Sequence, residues 1–320
     1  MPHKLIIDTD PGVDDALAIQ FTLNSPELEL LGLTTIFGNV DVDLATTNAL
    51  RLLDLGGCSD IPVAKGTAKP LVDSFLGGAQ FVHGDDGQGN TFRPESKNKA
   101  IELSAADFII EQVKKYPHEV VLAAVGPYTN LALALQKAPE IQQLVKEVVV
   151  MGGNAFQEGN ITPAAEANVY GDVHAADMVL GANWPITMIG LDVTHTIMLH
   201  ENRLAAIAKQ SDAPLHNFVA DAYIFYQDFY KKANKIAGSY IHDSSVIAYL
   251  VNKDLFESMQ CPIRVETSDC ISKGKTWPSL GTSDNEESEA LKPWKNRPKV
   301  NLCTKVDSEA VLKLLEERLY

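Results

Sequence analysis

Lys4-Leu-Ile-Ile-Asp8-Thr-Asp10-Pro-Gly-Val-Asp14-Asp15-Ala-Leu-Ala-Ile-Gln20 decides the fold. Leu5-Ile6-Ile7 is aliphatic at consecutive positions, so a strand made of it is apolar on both faces, as in parallel sheets covered by helices. Pro11 and Gly12 break the run, and Val13 to Asn24 reads as the helix after it. The unit is strand, acidic loop, helix.

The same unit recurs outward from it. Leu28 to Phe37 reads as a second strand with a helix from Asp43 to Leu55 behind it. Glu119 to Val125, Glu147 to Met151 and Pro185 to Leu191 repeat the strand pattern. Ser104-Ala-Ala-Asp107 forms a capping box for a helix that ends near Tyr116-Pro117, and Thr129 to Ala138 and Val173 to Ala182 fit the remaining crossovers. Alternation of this kind predicts an α/β fold, a doubly wound and mostly parallel central sheet with helices on both faces. After residue 200 the pattern turns helical, over Glu201 to Lys209, Leu215 to Lys232 and His242 to Val251. Late strands at Ile263 to Thr267 and Val300 to Thr304 and a helix from Ser308 finish the chain. Gly66 to Asn98 and Lys273 to Pro298 read as long irregular loops, of the kind that serve as lids or binding loops. No linker composition divides the chain, so residues 1–320 read as one domain.

The balance of 27 basic against 42 acidic residues, net charge −15, argues against nucleic acid and anionic membrane partners, which need clustered Lys and Arg. At 45% hydrophobic the chain has enough apolar residues for a packed core, which excludes disorder. Leu5 to Ile7 is too short for a signal-peptide core. Cys58, Cys261, Cys270 and Cys303 show no metal or disulfide spacing. Reduced thiols in a cytoplasmic protein are expected.

In open α/β sheets ligands bind beyond the carboxyl ends of the strands. Those junctions carry Asp8-Thr-Asp10-Pro-Gly-Val-Asp14-Asp15, Phe37-Gly38-Asn39, Val125-Gly126-Pro127, Gly152-Gly153-Asn154 and Asp192-Val-Thr194. Four carboxylates within eight residues repel one another more than a helix N-terminus offsets, at about 0.3–1 kcal/mol per acid. A hard divalent cation supplies the difference; capping by one Asp, with the others solvated, is the plain structural alternative. An EF-hand fails, because its glycine and closing glutamate positions hold Val13 and Ile19. Asp8-x-Asp10 after a strand also resembles haloacid-dehalogenase-type phosphatases, with Asp8 as nucleophile and Mg²⁺ as cofactor, although Gly12 stands where those enzymes typically carry Thr or Val.

Other clusters are candidates for the same rim. Asn160, Glu166 and Asn168 suit a polyhydroxyl ligand such as a sugar, or else satisfy their own loop. His242-Asp243 opens a helical pattern, offering a proton donor and a carboxylate if it reaches that rim. His83 lies in a glycine-rich loop that reads as a lid or a solvated turn. Tyr226 and Tyr230, an i, i+4 pair, offer one face over a planar ligand.

Together these stretches resemble the nucleoside hydrolases of the inosine–uridine-preferring type. Asp8-Thr-Asp-Pro-Gly-Val-Asp-Asp15 is similar to that family's N-terminal signature. The similarity continues through Phe37-Gly-Asn39, Val125-Gly-Pro-Tyr-Thr-Asn130, Met151-Gly-Gly153, Asn160 to Asn168, Leu191-Asp-Val-Thr194 and His242-Asp243. The resemblance implies hydrolysis of ribonucleosides to free base and ribose, in nucleoside catabolism and base salvage, with a Ca²⁺-bound water. Asp10, Asp15, Asp243 and the carbonyl of Val125 would hold Ca²⁺, with Asp10 also the general base. Asp14, Asn39, Met151, Asn160, Glu166 and Asn168 would line the ribose pocket. His242 would be the leaving-group acid, assisted by His83, Tyr226 or Tyr230. A homodimer or homotetramer is implied as well. A ring of carboxylates and amides suits this chemistry, because an oxocarbenium-like transition state places positive charge on the sugar. A nucleoside- or ribose-binding protein without turnover is the non-enzymatic alternative.

Overall fold

The computed structural model describes residues 2–281 and 289–319. Its first half runs β1 His3–Thr9, α1 Val13–Leu23, β2 Leu28–Thr35, α2 Val42–Leu55, β3 Val63–Lys65, α3 Gln80–His83, α4 Ala105–Lys115, β4 Val120–Ala124 and α5 Thr129–Lys137. Next come β5 Glu147–Met151, α6 Ala167–Gly171, α7 Val173–Leu180, β6 Ile186–Ile189 and α8 Leu191–Thr194. The remainder is β7 Met198–His200, α9 Glu201–Ile207, α10 Pro214–Ala233, β8 Gly238–Tyr240, α11 Ser244–Val251, β9 Phe256–Val265, β10 Thr276–Pro278, β11 Lys299–Val306 and α12 Ser308–Arg318.

The central sheet has nine strands in the order β10-β9-β11-β6-β5-β4-β1-β2-β3. From β3 to β11 every neighbouring pair is parallel, and β9 and β10 add an antiparallel edge. The uninterrupted aliphatic runs have the predicted consequence. Leu5 and Ile7 of β1 point into one core and Ile6 into the other; Val149 and Met151 of β5 join the first, Val148 and Val150 the second. Helices α1, α10, α11 and α12 cover the first face, and α4, α5 and α7 the second. Burying each such aliphatic side chain stabilises the fold by about 1.5–3 kcal/mol, so the two-faced strands anchor the rim on which the site is built.

The departures from expectation lie where the hydrophobic pattern is weak. The late strand begins at Phe256 rather than Ile263; its first half leaves Glu257, Ser258 and Gln260 exposed, so no apolar run marks it. Strands β3 and β10 are only three residues long, and Pro278 suits β10 to an edge. The Gly66–Asn98 stretch contains α3, which seats His83. Of the Lys273–Pro298 stretch, β10 supplies structure at one end and residues 282–288 lie outside the described residues. A separate two-stranded ladder, β7 against β8, pairs Leu199 with Ser239. It draws the segment after α8 beside the segment before α11. No described helix is long and apolar enough to cross a membrane.

Candidate active site

Strand β1 ends in Asp8 and Thr9, the chain turns at Pro11-Gly12, and Asp14 and Asp15 fall in the first turn of α1. Asp15 is fully buried and held three ways: Oδ1 accepts the Thr9 hydroxyl at 2.5 Å, and Oδ2 accepts the Gly12 amide at 2.9 Å and the Asn39 side-chain amide at 3.0 Å. Asp10 Oδ2 accepts the Asn39 backbone N–H at 2.6 Å, while its Oδ1 has no partner. Asn39, in the loop between β2 and α2, thus braces both acids.

Asp243 comes from the far end of the chain, one residue before α11. It occupies the cap position but its carboxylate makes no cap hydrogen bond, leaving it free to face the others. Carboxylate oxygens of Asp14, Asp15 and Asp243 lie within 4.8 Å of one another, all on buried residues. The predicted metal set named Asp10 beside Asp15 and Asp243; the first turn of α1 brings Asp14 to Asp15 and Asp243 as well.

Burial pushes all four acids above the usual carboxylate range, Asp14 to about 6, and the neighbouring carboxylates push Asp10, Asp15 and Asp243 further the same way. No lysine or arginine lines the cavity among the described residues. His83 lies 3.9 Å from Asp14 but is no counter-charge: burial pushes it down to about 4, and its Nδ1 accepts the Val13 N–H at 3.1 Å. Its proton therefore sits on Nε2. Asp14 Oδ1 is also unpartnered. Close, dry carboxylates with open oxygens and no cation of their own fit a hard divalent metal ion.

Above the cluster lies a cavity of about 310 Å³. Asp14, Asp243, Asn39, Met151 and the carbonyl-bearing Val125 contribute to its lining, and Asn160, Glu166 and Asn168 enter from the loop after β5. Asn168 Nδ2 donates to the carbonyls of Val125 at 2.8 Å and Met151 at 3.2 Å, tying the ends of β4 and β5 together. Glu166 caps α6, accepting the amides of Asn168 and Val169, and also takes the Gly153 N–H. Asn160 accepts the Ala167 N–H at 2.9 Å. These side chains both satisfy their loop and face the cavity. Asp192 and Lys275 clamp that loop from behind. The Asp192 carboxylate accepts the amides of Ala155 and Phe156, both at 2.7 Å, and Lys275 donates to the carbonyls of Asn154 and Gln157.

The other end is aromatic. His83, Tyr226, Tyr230 and His242 all line it. Their arrangement differs from a stacking face: the Tyr226 and Tyr230 rings meet at 71°, and their hydroxyls point along a hydrogen-bonded series. Thr194 Oγ1 lies 2.9 Å from His242 Nδ1, His242 Nε2 3.1 Å from Tyr230 Oη, and Tyr230 Oη 3.4 Å from Tyr226 Oη. Tyr226 then donates to Asp14 Oδ2 at 3.2 Å. Burial, and secondarily the nearby imidazoles of His195 and His83, pushes His242 down to about 3, so it is neutral at pH 7. Sequence reasoning missed His195, Tyr240 and Asn234, which also line this end. His195 directly follows Asp192-Val-Thr194 and Tyr240 precedes His242 by two residues, so reading each motif slightly further would have found both.

A second cavity of about 340 Å³ adjoins the first, and it is this one that Asp10 lines. Asp8 lines neither. Its Oδ1 is taken by the Thr34 hydroxyl at 2.6 Å and the Asn130 side-chain amide at 2.8 Å, so Asp8 braces β2 and α5 and does not face a ligand, which argues against the nucleophile's role that the phosphatase reading needs.

The family model of the inosine-uridine preferring nucleoside hydrolases matches residues 5–313. A probable uridine nucleosidase 2 of Arabidopsis thaliana is 43% identical over 99% of this chain and 97% of its own. The inosine-uridine preferring nucleoside hydrolase of Crithidia fasciculata is 36% identical over 86% and 87%. Among solved structures, a plant nucleoside hydrolase superposes with a TM-score of 0.94 at 38% identity, covering 100% of this chain and 99% of that one. Agreement of this extent, from the acidic loop after β1 to the last helix, makes the chain a ribonucleoside hydrolase of the inosine-uridine preferring nucleoside hydrolase family.

Proposed function

We propose that the cavity cleaves the N-glycosidic bond of uridine- and inosine-type ribonucleosides, with Asp10 as general base, His242 at the leaving base and Ca²⁺ as the metal. The observation that carries this is the cluster of Asp14, Asp15 and Asp243, buried without a counter-cation beneath a cavity that is amide-lined at one end and aromatic at the other. Asp10, Asp15, Asp243 and the Val125 carbonyl are the ligands we assign. Bound there, Ca²⁺ would orient sugar hydroxyls and make water more acidic. Asp10, with Oδ1 unpartnered, takes the proton of the attacking water. Asp14, Asn39, Met151, Asn160, Glu166 and Asn168 hold the ribose, and the carboxylates favour the positive charge that develops on it.

The departing base leaves toward His83, Tyr226, Tyr230 and His242. A neutral His242 stabilises it by hydrogen bonding, replenished through Tyr230, rather than as a standing imidazolium. Uridine is the substrate we assign first, because relatives at 40–43% identity are named uridine nucleosidases. The four free thiols suit a reducing compartment such as the cytoplasm. A dimer or tetramer is the assembly we expect, and light scattering on the purified chain reads it directly. Release of uracil or hypoxanthine from the nucleosides, with and without chelator, tests the activity. No base release from either nucleoside would overturn it.

A further inference from the structure

We propose that the second cavity is an acceptor subsite, through which the enzyme transfers the ribosyl group to small apolar alcohols as well as to water. The inference rests on Asp10 being the base, as proposed above. Asp10 lines this cavity and not the first. Asp10 is 1% exposed, with Oδ2 fixed by the Asn39 N–H and Oδ1 unpartnered. Glycines flank it on both sides: a Cβ at Gly38 or at Gly126 would run into the Asp10 carboxylate. The two glycines therefore let the backbone pack directly against the carboxylate, and Gly38 also lines the cavity beside it.

The two cavities share Asn39 and Asn168 as walls, whereas Tyr226, Tyr230 and His242 line only the first. Phe81 and Ile161 are shared as well, so an occupant of the second cavity meets the first across these walls, with Asp10 on its own side. Its walls are apolar, with Phe37 and Phe75 at 5.2 Å between ring centroids and Pro127 and Tyr170 beside them, and the Asp73–Lys273 ion pair at 3.0 Å lies at its edge. Water as the sole nucleophile needs about 30 Å³ and no apolar wall. About 340 Å³ against aromatic rings fits the tail of an alcohol.

The step balances without a further reagent. The C1′–N bond breaks and its electron pair leaves with the base. The alcohol oxygen forms the new C1′–O bond, its proton passes to Asp10, and the base anion takes up a proton, giving an alkyl riboside and the free base.

The test is product partition from uridine in the presence of methanol, 1-propanol or benzyl alcohol at equal molarity, with ribose and riboside separated by chromatography. We expect benzyl riboside to exceed methyl riboside by about tenfold per mole of acceptor, from the extra apolar surface buried. Phe75→Ala should pull that ratio toward one while uracil release in plain buffer holds. Ribose with no riboside, or equal yields from all three alcohols, overturns the subsite and leaves the hydrolase reading standing. Absence of uracil release under every condition overturns the hydrolase reading, and the inference with it.

Discussion

Tyr230 Oη and His242 Nε2 lie 3.1 Å apart, both side chains buried, one from the long helix α10 and the other from the turn before α11. The contact links the aromatic end of the cavity to the acid cluster, since Tyr230 continues to Tyr226 and Tyr226 to Asp14.

Tyr230→Phe removes the hydroxyl at the centre of that series and little else. Uridine kcat should fall by about 10–100-fold, at the lower end of what one proton-transfer partner contributes, with KM nearly unchanged. p-Nitrophenyl riboside, whose leaving group needs no proton, should be almost unaffected. Equal losses on both substrates would sink the assignment.

Removal of the metal should abolish turnover, and Ca²⁺ should restore it. Because Asp243 makes no cap hydrogen bond and faces like charges, Asp243→Asn should leave the metal-free Tm unchanged or higher. It should also erase the Ca²⁺-induced rise in Tm, which is about 2.7 kcal/mol of added stability at a hundred times Kd. Differential scanning calorimetry with and without Ca²⁺ reads both effects. A variant that still gains Tm from Ca²⁺ would remove Asp243 from the ligand set.

Asp8 gives a pH signature of stability. Burial raises its carboxyl from 3.8 to about 7, against the opposing hydrogen bonds from Thr34 and Asn130. The folded protein therefore holds a proton there that the unfolded chain releases above about pH 4. The contribution is fully present below the unfolded pKa and is lost as pH rises toward 7. In chelated buffer, urea unfolding at pH 5 and pH 8 should show a drop for the parent protein that is smaller in Asp8→Asn. Identical drops would mean that Asp8 does not titrate in this window.

Asp192→Ala frees the amides of Ala155 and Phe156 behind the loop that carries Asn160 and Glu166. A charged hydrogen bond contributes about 1.5–3 kcal/mol, so loosening the loop should raise KM for uridine by about tenfold or more. kcat should fall less than KM rises. A loss of Tm with KM unchanged would make Asp192 purely structural.

Gly38→Ala places a methyl group against the Asp10 carboxylate. Displacing a catalytic group by about 1 Å costs on the order of a hundredfold, so kcat should fall by at least that factor while Ca²⁺ still raises Tm. Near-normal kcat would show that Asp10 has room to shift.

The sequence makes the scaffold legible where burial is two-sided. Leu5-Ile6-Ile7 and Val148-Val149-Val150 can be strands only with helices on both faces, and the boundaries of β1, β5, α1 and α12 fall where runs and caps place them. β9 is less legible because half of it is exposed, and β7 and β8 because three-residue strands carry no period. At the site, the acidic loop, Asn39, Glu166 and His242-Asp243 announce themselves by charge and position. Asp14 beside Asp15 and Asp243 does not, because which acids converge depends on the rotation of a helical turn. Nor does His195 beside Tyr240, with ring centroids 4.6 Å apart, since their meeting depends on a ladder between segments some forty residues apart.

That ladder has a consequence for how such an enzyme diversifies. Asp10, Asp14, Asp15, Asn39, Val125 and Met151 stand at or just beyond the ends of β1, β2, β4 and β5, in a nine-stranded sheet where a change propagates through two cores, whereas Asp243 follows β8 by three residues. His195, Tyr240 and Asn234 stand around a two-stranded appendage that shares no ladder with that sheet. Drift at His195, Asn234 and Tyr240 can therefore reshape the aromatic end without touching the sheet, but only while it leaves His242 and Asp243, the immediate neighbours of β8, in place. The most adjustable part of the cavity and one of its least dispensable acids hang on the same short strand.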